Sequence, residues 1–241
     1  MDNKVFNRIE KKYLIAKPQK SQLIKILKEH MENDDYHKSL VFNIYFDNDN
    51  FDLITQSIDH PIFKEKLRAR SYQKYDRVFL EIKTKLKGKE NNVGYKRRIM
   101  ITKKDYRNFI KHKTNLIELV EHSAKTENDS QIAKEIEYLV KHFNLKPKIF
   151  LSYKRTSFKN KDGLRITFDE KLKYRDEKLG FYNSKSDKIY FKDSRDVILE
   201  IKAHDVLPLW LVRKMSELKI YPQQFSKIGS VYQNLIKEQN V

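Results

Sequence analysis

The chain has 241 residues, 39% of them hydrophobic and 35% charged, with no cysteine and only five glycines and five prolines. That composition excludes disulfides, thiolate metal sites and a cysteine nucleophile, argues against disorder, and leaves enough apolar material for a sizeable core. The formal charge of +18, from 51 Lys and Arg against 33 Asp and Glu, favours anionic partners: nucleic acid, acidic membrane or polyanionic small molecules.

In chain order, the opening stretch MDNKVFNRIEKKY lacks the apolar core of a signal peptide. No run of about 18 apolar residues follows anywhere, so a soluble, cytoplasmic protein is expected. Without repeats or linkers, residues 1–241 are expected to form a single domain. Arg8 to Ile15 alternates as a strand. Ser21 to Met31 places Leu23, Ile24, Leu27 and Met31 at helical spacing, with Pro18 in the turn before it. Strand patterns follow at Val41 to Phe46, Lys64 to Tyr72, Arg77 to Thr84 and Gly94 to Ile101; Lys87-Gly88-Lys89 and Asn91-Asn92 supply turn chemistry between the last two. Thr102 with Asp105 signals a capped helix through Tyr106, Phe109 and Ile110, and Ser130 to Phe143 is periodic through Ile132, Ile136, Leu139 and Val140. Ile149 to Ser157 and Leu164 to Leu172 read as strands joined by the turn Asn160-Lys161-Asp162-Gly163, then Val197 to Ala203 as another. Helices at Pro208 to Leu218 and Ser226 to Lys237 complete the chain. Eight antiparallel strands with interspersed helices define an α+β chain built around a large sheet or barrel.

Read at period two, these strands share one polar face. It carries Arg8, Glu10 and Lys12; Lys64, Lys66, Arg68 and Arg70; Glu81, Lys83 and Lys85; Lys96 and Arg98; Tyr153 and Arg155; Arg165, Thr167 and Asp169; Glu200 and Lys202. A single alternating strand ordinarily means an apolar face on the core and a polar face in water. A solvent face mixes signs, however, whereas here Lys and Arg far outnumber carboxylates, and the guanidinium fork suits bidentate phosphate contacts. If the strands curl with these faces inward, they enclose a basic, water-filled bore. One or two carboxylates could then hold Mg²⁺ or Mn²⁺ together with phosphate oxygens, the candidates being Glu200, Glu10, and Glu81 or Asp169. The competing reading, carboxylates that only pair with neighbouring cations, suits Glu81 and Asp169 better than Glu200. The seven His show no ligand spacing, which speaks against zinc. No nucleic-acid motif is visible and aromatics do not interleave with the basic face, so no specific nucleic-acid partner is expected. Lys103, Lys104, Lys111 and Lys113 read as a solvated helix face, and Trp210-Leu211 as a buried helix face rather than a partner surface.

The motifs RIEKKY (8–13), KLRARSY (66–72), FLEIKTK (79–85), YKRR (95–98), SYKRTSF (152–158), LRITFD (164–169), VILEIK (197–202) and FSKIGS (225–230) occur in the order seen in the VTC domain. The chain thus resembles the catalytic domain of the vacuolar transporter chaperone polyphosphate polymerase, within the CYTH-like triphosphate tunnel metalloenzymes, over roughly residues 5–236. The resemblance implies a closed eight-stranded antiparallel tunnel barrel with flanking helices that holds a triphosphate chain and Mn²⁺ or Mg²⁺. It implies transfer of the γ-phosphate of ATP to polyphosphate; tunnel relatives hydrolyse tripolyphosphate or nucleoside triphosphates, and a non-enzymatic polyanion-binding role stays open. Its implied phosphate-binding set is Lys12, Arg68, Arg70, Lys83, Lys96, Arg155, Arg165 and Lys227. Arg98, Tyr153, Lys202 and Ser226 are implied as further substrate contacts, Glu200 as metal ligand with Glu10 beside it. Gln224 departs from the pattern, standing where a further basic residue is expected. ATP, polyphosphate, triphosphate or pyrophosphate are the expected partners. Eukaryotic assemblies of the family add a phosphate-sensing SPX domain and transmembrane helices; neither pattern appears in the sequence, so a membrane partner would be a separate chain.

Overall fold

A computed structural model describes residues 8–59, 62–73, 75–88, 92–112, 114–121, 126–191, 197–204 and 206–239. Its strands form an antiparallel sheet in the order β1-β9-β7-β6-β2-β3-β4-β5, with the two-residue β8 (Lys188–Ile189) pairing β7. All the expected strands are present: β1 (Arg8–Ile15), β2 (Glu32–Asp47), β3 (Phe63–Tyr72), β4 (Val78–Lys87), β5 (Asn92–Ile101), β6 (Lys146–Lys159), β7 (Arg165–Arg175) and β9 (Val197–His204). The α+β class with flanking helices is therefore as the sequence implies. The chain separates into two compact units, residues 1–40, 153–173 and 189–226 in the first and 41–152, 174–188 and 227–241 in the second.

In the first unit, one sheet face is apolar because β1, β7 and β9 alternate in phase. The register sets Tyr13 beside Leu199 and Leu199 beside Phe168. Against that face pack α1 (Lys17–His30) through Leu23 and Leu27, and α6 (Leu209–Glu217) through Leu211 and Met215. Pro18 lies inside the first turn of α1, where its missing N–H costs nothing, rather than in a turn ahead of it. The N-cap Ala16 has no side chain to offer, so Gln19 accepts from its N–H at 2.8 Å and donates to the Leu218 carbonyl at 2.8 Å, tying α1 to the end of α6. Leu211 is buried in the core, and Trp210, partly buried, packs against it and stacks on His30 at 4.3 Å.

In the second unit, Ile44, Ala69, Leu80 and Ile99 form one cross-strand row of the apolar face and Phe46, Leu67 and Ile82 another. All seven are buried, with Tyr106 and Phe109 of α3 (Lys103–Ile110) and Ile132, Ile136 and Leu139 of α5 (Glu127–His142) also in the core. α3 opens with the expected capping box, the Thr102 hydroxyl accepting from Asp105 N at 3.1 Å. Two short helices had no sequence signal. In α2 (Asp52–Ile58) the capping carboxylate is the remote Asp47, accepting from Leu53 N at 3.0 Å and Ile54 N at 2.8 Å. In α4 (Leu116–Glu121) it is Glu137 of α5, accepting from Leu116 N and Ile117 N. α7 (Lys227–Gln239) packs on α2, with Tyr232 against Phe51 at 5.1 Å. The 160–163 turn closes through Asn160 Oδ1, which accepts from Leu164 N, with Gly163 at φ 79°. The β4–β5 hairpin closes at the pair Lys87 and Asn92; its expected turn residues Lys89 and Asn91 lie outside the described residues.

Candidate functional site

Antiparallel pairing stacks the polar faces of single strands into rows. In the second unit, β3, β4 and β5 set Lys66 beside Lys83 and Lys83 beside Lys96, then Arg68 beside Glu81 and Glu81 beside Arg98. Lys64 and Lys85 form the next row, while Tyr45 and Asn43 of β2 extend the rows of Arg68 and Arg70. The sheet face therefore carries Lys64, Lys66, Arg68, Arg70, Lys83, Lys85, Lys96 and Arg98 and, in the paired strands, a single carboxylate, Glu81. That group is only 1% exposed. It lies 2.7 Å from Arg68, 2.7 Å from Lys96 and 3.9 Å from Arg70. Burial alone would raise its pKa, but the three cations overcome burial and hold it at about 2. Glu81 is thus a permanent anion that neutralises part of the cluster, as its pairing alternative expected.

Tyr45 is a member the sequence did not disclose. Its hydroxyl accepts from Arg68 Nη1 at 3.2 Å. Burial pushes the phenol up, yet Arg68, Lys66 and Arg70 bring it down to about 8. Asn43 accepts from Arg70 Nε at 2.9 Å and fixes that guanidinium. The Arg98 guanidinium lies over the Phe79 ring at 4.9 Å. The signal for Tyr45 and Asn43 was their spacing of two on a strand whose neighbouring positions are all apolar.

The first unit carries a second set of rows. β1, β9 and β7 align Glu10, Lys202 and Arg165, then Lys12, Glu200 and Thr167. Lys202 Nζ lies 2.8 Å from Glu200 and 3.8 Å from Glu10, and Lys12 Nζ 3.6 Å from Glu10. Arg155 grips Asp169 in a two-pronged pair at 2.6 and 2.7 Å, and its guanidinium lies 5.3 Å from the Tyr153 ring. Burial opposes the Arg155 charge, but Asp169, Tyr153 and Glu200 secure it well above the usual range. Arg165 pairs with Asp34 of β2 at 2.8 Å. The extended stretch 221–226 runs beside β1: Gln223 N donates to the Lys12 carbonyl at 2.8 Å, and Lys12 Nζ to the Phe225 carbonyl at 3.4 Å. Phe225 is anchored on Phe191, and the stretch ends with Gln224, Phe225 and Ser226. Lys227 is the first residue of α7 and belongs to neither set of rows.

Each unit therefore presents fixed cations at strand spacing, several already oriented by an internal acceptor. Such an array can bind successive phosphate oxygens of a linear polyanion through charge-assisted hydrogen bonds. No group of three or more His, Asp or Glu side chains converges among the described residues. A divalent cation would rest on one or two carboxylates of the first unit and on oxygens of a bound phosphate, the usual mode for Mg²⁺. Glu200, 8% exposed and next to the buried hydroxyl of Thr167, fits that role. Glu10, more exposed and shared between two lysines, fits it less well. No helix among the described residues is long and apolar enough to cross a membrane.

A family model described as VTC domain matches residues 7–236. No curated protein matches the sequence. Among solved structures, a proposed adenylyl cyclase from Hippeastrum, reported to have a dominant triphosphatase activity, is similar at 15% identity with a TM-score of 0.55, covering 95% of this chain and 96% of its own. A protein of Pyrococcus horikoshii OT3 aligns at 12% identity with a TM-score of 0.48, over 95% of this chain and 99% of its own.

Proposed function

We propose that this chain, which belongs to the VTC domain family, is a metal-dependent polyphosphate polymerase that moves the γ-phosphoryl group of ATP onto a polyphosphate end. The observation that carries the reading is the set of in-register rows on β3, β4 and β5, where eight Lys and Arg side chains share a face with a single carboxylate, the buried Glu81. A protein keeps so many like charges on one face at a cost in self-repulsion, which a bound polyanion relieves. The family supplies the acceptor, a phosphate polymer, and the leaving group, ADP.

The chemistry asks little of an acid or base. The terminal oxygen of a polyphosphate is already ionised; it forms the new P–O bond as the bond between the γ-phosphorus and the β-phosphate oxygen breaks. Charge spreads over the transferring oxygens, so rate comes from positioning and electrostatic stabilisation. Arg68, Arg70, Lys83, Lys96 and Arg98 of the second unit and Lys12, Arg155, Arg165 and Lys202 of the first bind phosphate oxygens, with Tyr153 and Ser226 as neutral donors and Lys227 at the head of α7. Guanidiniums held by Asn43, Glu81 and Asp169 are already in place, which reduces the ordering cost of binding. Glu200 would hold Mn²⁺ or Mg²⁺, which would neutralise phosphate charge beside Lys12 and Lys202.

Incubating the protein with ATP, Mn²⁺ and a pyrophosphate primer tests the reading. A ladder of long polyphosphate on a gel, with ADP released in step, is the expected result. Free phosphate in proportion to ADP, without polymer, would instead identify a triphosphatase, the activity reported for the Hippeastrum structure.

A further inference from the structure

The row Lys12, Glu200 and Thr167 contains one group that no pairing explains. Thr167 is 5% exposed, and its Oγ1 is buried without a hydrogen-bond partner among the described residues. A buried hydroxyl with no partner is costly, and valine would fill the same volume on a strand without that cost. Its neighbours on β7 show the contrast, since Arg165 is paired with Asp34 and Asp169 with Arg155. Thr167 sits directly opposite Glu200 in the β7–β9 register, so the two side chains leave the same face at adjacent strands. Lys12 flanks Glu200 on its other side.

We infer that the Thr167 hydroxyl is a ligand of the divalent cation, giving it a neutral oxygen beside the carboxylate of Glu200. The inference rests on Glu200 as the metal carboxylate. A hydroxyl suits a hard cation, which takes oxygen donors of either charge. It also suits this position electrically: a second carboxylate here would draw in Lys12 and Lys202, as Glu10 does, and would repel the phosphate oxygens that complete the coordination shell. A neutral oxygen does neither. The orphaned atom is then the part of the site that waits for the ion, whereas Asp34 and Asp169, each held by an arginine, are structural.

The test is calorimetric titration with the β,γ-methylene analogue of ATP, once with Mn²⁺ and once in EDTA. Thr167→Val is expected to weaken binding of the Mn²⁺-loaded analogue by about tenfold or more, a loss typical of groups that hold a metal. Its affinity for the metal-free analogue stays at the wild-type value, which also shows that the variant is folded. Thr167→Ser, which keeps the oxygen, retains most of the Mn²⁺-dependent affinity. Equal weakening with and without metal would make Thr167 a phosphate donor and overturn the inference; so would full Mn²⁺-dependent affinity in Thr167→Val. Glu200→Gln separates the two levels. If it leaves Mn²⁺-dependent binding intact, the carboxylate assignment beneath the inference falls, whatever Thr167→Val shows.

Discussion

At the scale of single residues, the cationic face of the second unit is set by groups that hold one another. Glu81 is the clearest case, because Arg68 and Lys96 each lie 2.7 Å from it. Removing one partner of such a buried cluster leaves charges uncompensated, so Glu81→Gln should destabilise the protein by about 3–5 kcal/mol at pH 7. The pH dependence has a definite sign. With a folded pKa near 2, below that of an unfolded glutamate, the stabilisation is fully present above about pH 4.5 and is lost as pH falls through the folded value. Denaturant unfolding at pH 7, 4 and 3 should show the gap between wild type and Glu81→Gln closing over that range. A gap of constant size would contradict the pairing. Tyr45 titrates at the other end. Its phenol, held at about 8 beside Arg68, loses its proton as pH rises and then both neutralises Arg68 and repels phosphate. Tripolyphosphate affinity should fall between pH 7 and pH 9, and Tyr45→Phe should flatten that fall. If the two proteins show the same pH profile, the phenol plays no part.

At the scale of elements, what the sequence discloses depends on where the stabilising partner lies. Strands were legible because period-two alternation is written locally, and the α3 capping box because Thr102 and Asp105 are neighbours in the chain. α2 and α4 were not, because their caps come from Asp47 and Glu137, placed by the fold rather than by local sequence. The first half of β2 was hidden for a similar reason: Glu32 to Asp35 is uniformly polar and shows no alternation, yet Asp35 pairs with Lys159 of the adjacent β6 and Asp34 with Arg165 of β7, one strand further. The same logic separates the site residues. Arg68 and Glu200 announce themselves by charge in a repeating pattern, whereas Tyr45 gains its role only from the guanidinium beside it. The irregular stretch after β7 offers a test at this scale. Arg175, 2% exposed, is stacked on Phe150 at 3.7 Å and ion-paired with Asp187, and it donates to the Gly180 carbonyl at 2.9 Å. Arg175→Leu strands the buried Asp187 carboxylate and should cost about 3–5 kcal/mol. Limited proteolysis should then cut within residues 176–187 far faster than in wild type; unchanged resistance would show that the stretch is held by something else.

At the scale of the whole molecule, the charge of +18 is not spread evenly. Much of it is arrayed in register on polar strand faces whose opposite sides form the cores. That arrangement explains how a basic chain folds: apolar rows such as Ile44, Ala69, Leu80 and Ile99 bury on one side, while the cations on the other side stay available to a ligand. It also sets what a ligand should do. An anion bound only to the folded state stabilises it by mass action, and a linear phosphate should do so far better than chloride at equal ionic strength. The central claim is that these rows bind a phosphate chain. Calorimetric titration of wild type and Arg68→Ala with tripolyphosphate in EDTA tests it most directly. Wild type should bind, and Arg68→Ala should lose about 1.5–3 kcal/mol, the worth of a charge-assisted hydrogen bond. No binding by wild type, or equal affinity in the variant, would contradict the account.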